Sequence, residues 1–292
     1  SLLPTYWVSR AASDHVRVAL TGDGGDELFL GYDRHRVLDR FGWLPETAAG
    51  LLAGTIPVGR NPKSPVSKLS RLHHALAGSG YKDLLAIFPH HFDEAVGLSS
   101  KPGHTWHYGM TQGFLAGLAL RFDRCFYLPE DLLRKTDTAS MSCGLEVRCP
   151  FLDTELSQLA LRADPRLLMP RGKRKGLIKQ VARKYLPDHI VDRPKRGFAI
   201  PIGDWFRSDY GGMRTLLHDH LESADPFPGL GEAGVELNMV FVKQMLREHD
   251  AAGEKSLNPW HGRDHSQRLY MLLVLSIWCR WLARIQKDTR PA

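Results

Sequence analysis

The sequence predicts a predominantly α-helical chain of α/β parentage with few strands. Residues 16–20 (VRVAL) form a short β-branched apolar run that leads into a Gly-rich acidic turn and then a helix start. Strand, turn and helix in that order mark the carboxyl end of a strand in an open α/β sheet, where ligands bind. Most other segments show helical spacing of apolar residues. A lone parallel-type strand at the N-terminus, finally, implies missing sheet partners, because parallel strands are normally covered by neighbours.

Taken in order, residues 2–12 read as a helix with Pro4 near its first turn. The turn follows as LTGDGGDELFLGY, residues 20–32, with Asp26 as the expected N-cap of a helix start over 27–32. Residues 34–41 continue as helix. Residues 42–67 are rich in Gly and Pro and read as a short helix between loops. Helical patterns resume at 66–77 and 81–88, and 99–109 is a loop carrying His104 and His107. No Cys or carboxylate stands at ligand spacing from that histidine pair, so it does not read as a metal site. Leu128-Pro129-Glu130-Asp131 predicts another helix start, with Pro and acids in the first turn. Glu146 and Arg148 sit two apart, the spacing of one face of an extended segment, and read as a structural ion pair. Pro150 to Asp153 ends that segment and starts a helix at Asp153.

Residues 170–186 (PRGKRKGLIKQVARKYL) predict an amphipathic helix behind a basic loop. A helix start there would offer free N–H groups and Lys173 and Lys175 to an anion, although basic loops are often simply solvated. Arg193 to Phe198 add a second basic turn, and Trp205 and Phe206 read as packing residues. Residues 208–235 read as loop-rich, 237–249 as helix, 253–262 as loop, and 266–285 as a strongly apolar helix whose Trp278 and Trp281 suggest a core stripe.

The chain has 292 residues, 43% of them apolar, enough to bury a proper core. Its four cysteines show no C-x-x-C pairing, which argues against zinc and against a disulfide framework and suits a reducing cytoplasm. No signal peptide is visible, and the apolar run 269–279 is too short to span a bilayer. Formal net charge is +7, but residues 171–196 hold ten Lys/Arg against two Asp, so the rest of the chain sums to −1. So local a basicity fits a polyphosphate pocket or a small nucleic-acid patch.

The acidic turn offers Asp23, Asp26 and Glu27 beside the Thr21 hydroxyl, with Gly22, Gly24 and Gly25 removing side chains between them. By itself such a run is usually just a turn. It is not a Walker loop, since no Gly-Lys-Ser/Thr follows, and not an EF-hand, since Arg34 stands where a bidentate Glu is needed.

TGDGGDELFLGY, YLPEDLLRKTDTASMSCGLEVRCPFLD, GKRKGLIKQ, DRPKRGFAIPIGDW and DHSQRLYMLLVLSIW, in that order, resemble the synthetase domain of glutamine-dependent asparagine synthetases. The resemblance runs from near residue 1 to about residue 285. Thr21 stands where Ser is usual, Leu30 where a small residue is usual, and Cys149 where Val is usual. The family's Ser-Gly-Gly-x-Asp-Ser phosphate loop and the nucleophilic cysteine of its glutaminase domain do not occur in residues 1–292. On that basis residues 1–292 are expected to be the C-terminal part of a synthetase domain of the PP-loop ATP-pyrophosphatase (adenine nucleotide α-hydrolase-like) fold. Alone, the chain is expected to bind ATP weakly and make no amide.

The resemblance implies ATP and Mg²⁺ as cofactors, an acyl-adenylate of aspartate or another carboxylate, and ammonia delivered by a glutaminase domain. It implies a metal ligand at Asp26, a phosphate-stabilising lysine at Lys175 with Lys173 as fallback, and an acidic group at Asp23 suited to placing ammonia and taking its proton. Thr21, Gly22, Gly24 and Gly25 would line the adenylate. Neither nucleic acid nor membrane is expected as a partner, and a homo-oligomer is compatible with the sequence. The competing readings are a related amidotransferase acting on a different carboxylate in polysaccharide or peptide biosynthesis, a non-catalytic assembly module, and a nucleic-acid binder using residues 171–196.

Overall fold

The structure, a computed structural model, describes residues 1–41, 115–194, 200–252 and 263–288. The expected elements at 42–67, 66–77, 81–88, 99–109 (with His104 and His107) and 253–262, together with Lys195 and Arg196, lie outside the described residues. The chain divides into two compact units, Ser1–Ala49 with Met110–Ile200 and Gly50–Gly109 with Pro201–Ala292. As expected, the described residues are mostly helical with few strands.

In the first unit, α1 (Leu2–Ser13) leads into β1 (Val18–Leu20). The N-terminal strand is not alone. It pairs in parallel with β2 (Glu146–Arg148), with Val18 opposite Glu146 and Leu20 opposite Arg148. The alternation at Glu146 and Arg148 was the sequence trace of this partner. The predicted ion pair forms on one exposed face of β2, with Arg148 Nε donating to Glu146 Oε1 at 2.7 Å.

The turn after β1 differs from the expectation in two ways. Gly24, at φ 87°, is the N-cap of α2 (Gly25–Leu28), so Asp26 lies inside the first turn and does not cap it. Only glycine takes that backbone conformation without strain. The helix also stops short: Leu30, at φ 54°, breaks it, and α3 (Asp33–Phe41) starts afresh. Burial of Phe29 and Leu30 in the core with Leu168 and Met169 outweighs local helix preference.

Leu128-Pro129 is not a helix start but the middle of a long continuous helix. It comprises α4 (Leu115–Phe122), a π-helical stretch (Asp123–Leu133) with Pro129 inside, and α5 (Arg134–Met141). An α-helical turn would drive the proline ring into the carbonyl four residues back, and a wider turn relieves that clash. Asp153 caps α6 (Thr154–Arg162) as expected, accepting from the Glu155 and Leu156 N–H groups at 3.0 and 3.1 Å.

After α7 (Pro165–Leu168), the expected helix over 170–186 shortens to α8 (Gly176–Ala182). Positive φ at Arg171 and Lys175 delays its start, and Pro187 disfavours helix at Leu186. Leu177 and Ile178 pack on the core, whereas Val181, Tyr185 and Leu186 are exposed. The short α9 (Asp188–Val191) follows.

The second unit contains α10 (Ile202–Ser208), α11 (Met213–Leu221), α12 (Met239–Ala251) and α13 (Ser266–Asp288). Phe206 is fully buried, as predicted. Helix α11 lies within the stretch expected to be loop-rich. Its Met213, Leu217 and Leu221 recur every four residues and pack in the core with Met245, Leu246 and Leu273. Trp278 and Trp281 are not core: they are 50% and 53% exposed, because α13 turns Leu269, Leu272 and Leu273 inward instead. Among the described residues α13 is the one helix long and apolar enough to cross a membrane, and that leucine face packs in the second unit's core. All four cysteines are free.

A buried histidine pair ties α12 to the start of α13. The Arg268 guanidinium donates to His265 Nδ1 at 2.9 Å, so His265 carries its proton on Nε2 and donates it to Glu248 at 2.7 Å. The backbone N–H of His265 donates to His249 Nδ1 at 3.1 Å, which leaves Nε2–H of His249 to face the Gly203 carbonyl at 3.3 Å. Both imidazoles are thereby held neutral. Burial pushes the His265 ring down to about 4, and His249 is lowered for the same reason. Between an unfolded value of about 6.5 and a folded one of about 4, the unfolded chain binds the extra proton. Stability is therefore complete above pH ~6.5 and declines as pH falls toward ~4, by up to about 3 kcal/mol for His265. The expected result is a thermal midpoint that drops over that window, with the drop reduced in His265→Gln.

Candidate active site

The turn at the end of β1 spreads its acids in three directions. The ladder extends one bond beyond the strand, the Thr21 N–H donating to the Arg148 carbonyl at 2.9 Å. The Thr21 hydroxyl then donates to Asp23 Oδ2 at 3.2 Å, and the Thr136 hydroxyl on α5 donates to the same oxygen at 3.0 Å. Thr21 also touches the Cys149 sulfur at 3.4 Å. Thr21 and Cys149, two of the three positions noted as departures in the sequence, are thus in mutual contact.

Asp26 faces the other candidate element. Its Oδ1 lies 3.0 Å from Lys175 Nζ. Lys175 takes left-handed backbone dihedrals (φ 52°, ψ 30°) as the N-cap of α8. The neighbouring Arg174 pairs with Asp33 at 2.9 Å. Of the two lysines singled out from the sequence, the structure brings Lys175 to the acidic turn. Lys173 forms no ion pair among the described residues.

Glu27 points inward instead. It is 1% exposed, accepts the Tyr32 hydroxyl, and burial raises its carboxyl above the usual range. Beside it, Asp123 joins α3 to the long helix: Asp123 Oδ2 meets His35 Nε2 at 2.7 Å and Arg34 Nη2 at 3.1 Å. The Arg34 guanidinium lies 3.6 Å over the Tyr32 ring. His35 is fully buried, and burial lowers its ring below the ordinary value despite the carboxylate.

Three residues that the sequence reading passed over shape this site. Arg124 donates to the Glu27, Leu28 and Ala160 carbonyls at 3.2, 2.8 and 3.2 Å. It thereby takes the last two carbonyls of the four-residue α2, while the Gly31 N–H closes that of Asp26 at 2.9 Å. Burial brings its guanidinium down to about 10, so it stays charged at neutral pH. Asp123 anchors the Arg34–His35 pair from a distance of 88 residues in sequence. Gly31 lies under the ion pair: a β-carbon there would stand 1.8 Å from Asp26 Oδ1 and 2.5 Å from Lys175 Cε. Only the absence of a side chain at Gly31 carried a signal, and Gly31 follows the three glycines of the turn without belonging to their run.

The turn glycines have distinct surroundings. A side chain at Gly24 would strike Leu152, and one at Gly25 would meet Phe151 and the Lys175 ammonium, whereas Gly22 faces open space. Chemically, the site combines an ionised Asp–Lys pair, a carboxylate held by two hydroxyls and an open glycine. Among the described residues no cluster of three or more His, Cys, Asp or Glu could hold a metal. A single carboxylate such as Asp26 fits Mg²⁺ only in its usual manner with nucleotides, one or two carboxylates plus phosphate oxygens and water.

Comparison with known proteins gives the family of the chain. The family model for asparagine synthase matches residues 1–280. A putative glutamine-hydrolysing asparagine synthetase of Mycobacterium bovis is 28% identical over 95% of the chain and 41% of its own length. Glutamine-hydrolysing asparagine synthetase 1 of Bacillus subtilis is 25% identical over 94% of the chain and 42% of its own length. A probable glutamine-hydrolysing asparagine synthetase of Acanthamoeba polyphaga mimivirus is 36% identical over 53% of the chain and 25% of its own length. The chain spans about two fifths of the length of the first two relatives. With a match over 280 residues that takes in the acidic turn and Lys175, the chain belongs to the asparagine synthase family.

Proposed function

We propose that this chain supplies the carboxylate-activating site of an ATP-dependent, glutamine-dependent amide-forming ligase that converts aspartate to asparagine. The observation that carries the reading is the Asp26–Lys175 pair at 3.0 Å, set at the carboxyl end of β1. In this reading the residues are part of a PP-loop ATP-pyrophosphatase domain, working with a phosphate loop and a glutaminase domain supplied beyond residues 1–292.

The substrate carboxylate oxygen attacks the α-phosphorus of ATP. The bond to the β-phosphate oxygen breaks, and pyrophosphate leaves with that electron pair. Lys175 exchanges Asp26 for a phosphate oxygen and offsets the negative charge that grows on the leaving group. Asp26, released from the lysine, is the residue that would hold Mg²⁺, which when bound neutralises phosphate charge. In the second step the ammonia lone pair forms a C–N bond at the acyl carbon. The C–O bond to the phosphate breaks and AMP departs. Asp23 takes the proton that nitrogen must lose.

The test is pyrophosphate release by the complete protein with ATP, Mg²⁺ and each of a panel of carboxylates. Aspartate-dependent release, with AMP and asparagine formed in equal amounts when an ammonium salt is added, is the expected result. Release with a different carboxylate but not aspartate would reassign the acceptor. No carboxylate-dependent release at all would overturn the reading.

A further inference from the structure

We propose that Thr136 is a positioning residue for amine capture: it holds one oxygen of Asp23 so that the other is presented to the incoming ammonia. The inference rests on the function proposed above and names a residue that function did not require.

Three observations carry it. First, Asp23 Oδ2 accepts two hydroxyl protons, from Thr136 at 3.0 Å and from Thr21 at 3.2 Å. Two donors on one oxygen fix the plane of the carboxylate and engage that oxygen's lone pairs. Oδ1 receives no hydrogen bond among the described residues, and the side chain is only half-buried. Second, Thr136 is buried, 7% exposed, on α5. A threonine in a helix ordinarily returns its hydroxyl to a carbonyl of the preceding turn. Here the hydroxyl crosses to a carboxylate 113 residues away in sequence. Third, Thr21 has one hydroxyl proton. Given to Asp23, it leaves the Thr21 oxygen as acceptor for the Cys149 S–H at 3.4 Å. The donors therefore run one way, toward Asp23 Oδ2. A base needs an accessible lone pair aimed at the proton it removes, and this arrangement reserves Oδ1 for that purpose. The attacking nitrogen gives up one proton to Asp23 as its C–N bond forms, and the carboxylate becomes a carboxylic acid.

The experiment compares Thr136→Val and Thr136→Ser with wild type in the complete protein. Aspartate-dependent ATP–pyrophosphate exchange reports adenylation, and amide formation from added ammonium chloride reports amine capture. The expected result for Thr136→Val is exchange within about twofold of wild type and amide formation lowered about tenfold, the loss of one hydrogen bond to a charged acceptor. Thr136→Ser, which keeps the hydroxyl, restores amide formation. Thr136→Ala removes the same hydroxyl without adding a methyl group and must show the same split even if the valine variant folds poorly. Undiminished amide formation, or equal loss of both activities, would overturn the positioning role while leaving the proposed function intact. A wild-type protein without exchange would instead sink the function, and the role of Thr136 with it.

Discussion

Gly31→Ala is expected to lower aspartate-dependent pyrophosphate release about a hundredfold while the protein stays folded. The added carbon would lie 1.8 Å from Asp26 Oδ1 and 2.5 Å from Lys175 Cε, so the pair must separate. Misplacement of reacting groups by about 1 Å can cost on the order of 10²-fold in rate. The effect on stability should be much smaller. Forcing an extra carbon into a packed site costs about 1–3 kcal/mol. Here the two side chains are 22% and 31% exposed and can swing toward solvent, which places the cost at the lower end of that range. Calorimetry should record a fall of a few degrees in the thermal midpoint, alongside the large loss of pyrophosphate release. Activity within threefold of wild type would show that the close approach of Asp26 and Lys175 is not used in the reaction.

Lys175→Met is expected to lower the same activity by about 10² to 10³-fold, the scale of losing one preorganised charge at a transition state. Methionine preserves most of the aliphatic volume beside Gly25 and Gly31 and removes only the ammonium. Glutamine hydrolysis by the complete protein should persist, because the change concerns phosphate charge and not the amide donor. Lys173→Met should cost far less, since Lys173 is not the lysine brought to Asp26. Pyrophosphate release measured for the two variants under identical conditions decides between them. An equal loss in both would assign the phosphate charge to the loop as a whole, and a larger loss at Lys173 would overturn the assignment of Lys175.

Arginine at position 175 should not rescue. Position 175 is left-handed, and its side chain passes close to Gly31 on its way to Asp26. A planar guanidinium also presents its charge as a fork, where the ammonium acts as a compact point.

The candidate site was legible in the sequence where chemistry and local backbone coincide. Glycines among acids after a β-branched run marked the turn, and a lysine-rich loop before a helix marked its counterpart. The same reading misjudged features set by contacts between distant segments. The helix expected after Asp26 breaks at Leu30, because Phe29 and Leu30 gain more from the core than from continuing the helix. The helix start expected at Leu128 dissolves into a wider π-helical turn that accommodates Pro129. Trp278 and Trp281, apolar and helically spaced, lie outward, because periodicity defines a face but not which face meets a neighbour.

By itself, then, the sequence determined the mostly helical character of the chain, the strand–turn–helix order at residues 16–32, the helix start at Asp153, and the acidic turn and basic loop whose Asp26 and Lys175 meet in the candidate site. These follow from interactions within a few residues of one another, which the order of side chains specifies directly. Tertiary structure alone decided that β1 pairs with β2, that Lys175 and not Lys173 meets Asp26, that Thr136 reaches Asp23, that Arg124 takes carbonyls of the turn, and that Asp123 anchors Arg34 and His35. Each of these joins groups a hundred or so residues apart. Their meeting depends on how buried apolar surface orients whole segments, and short-range pattern carries no record of that.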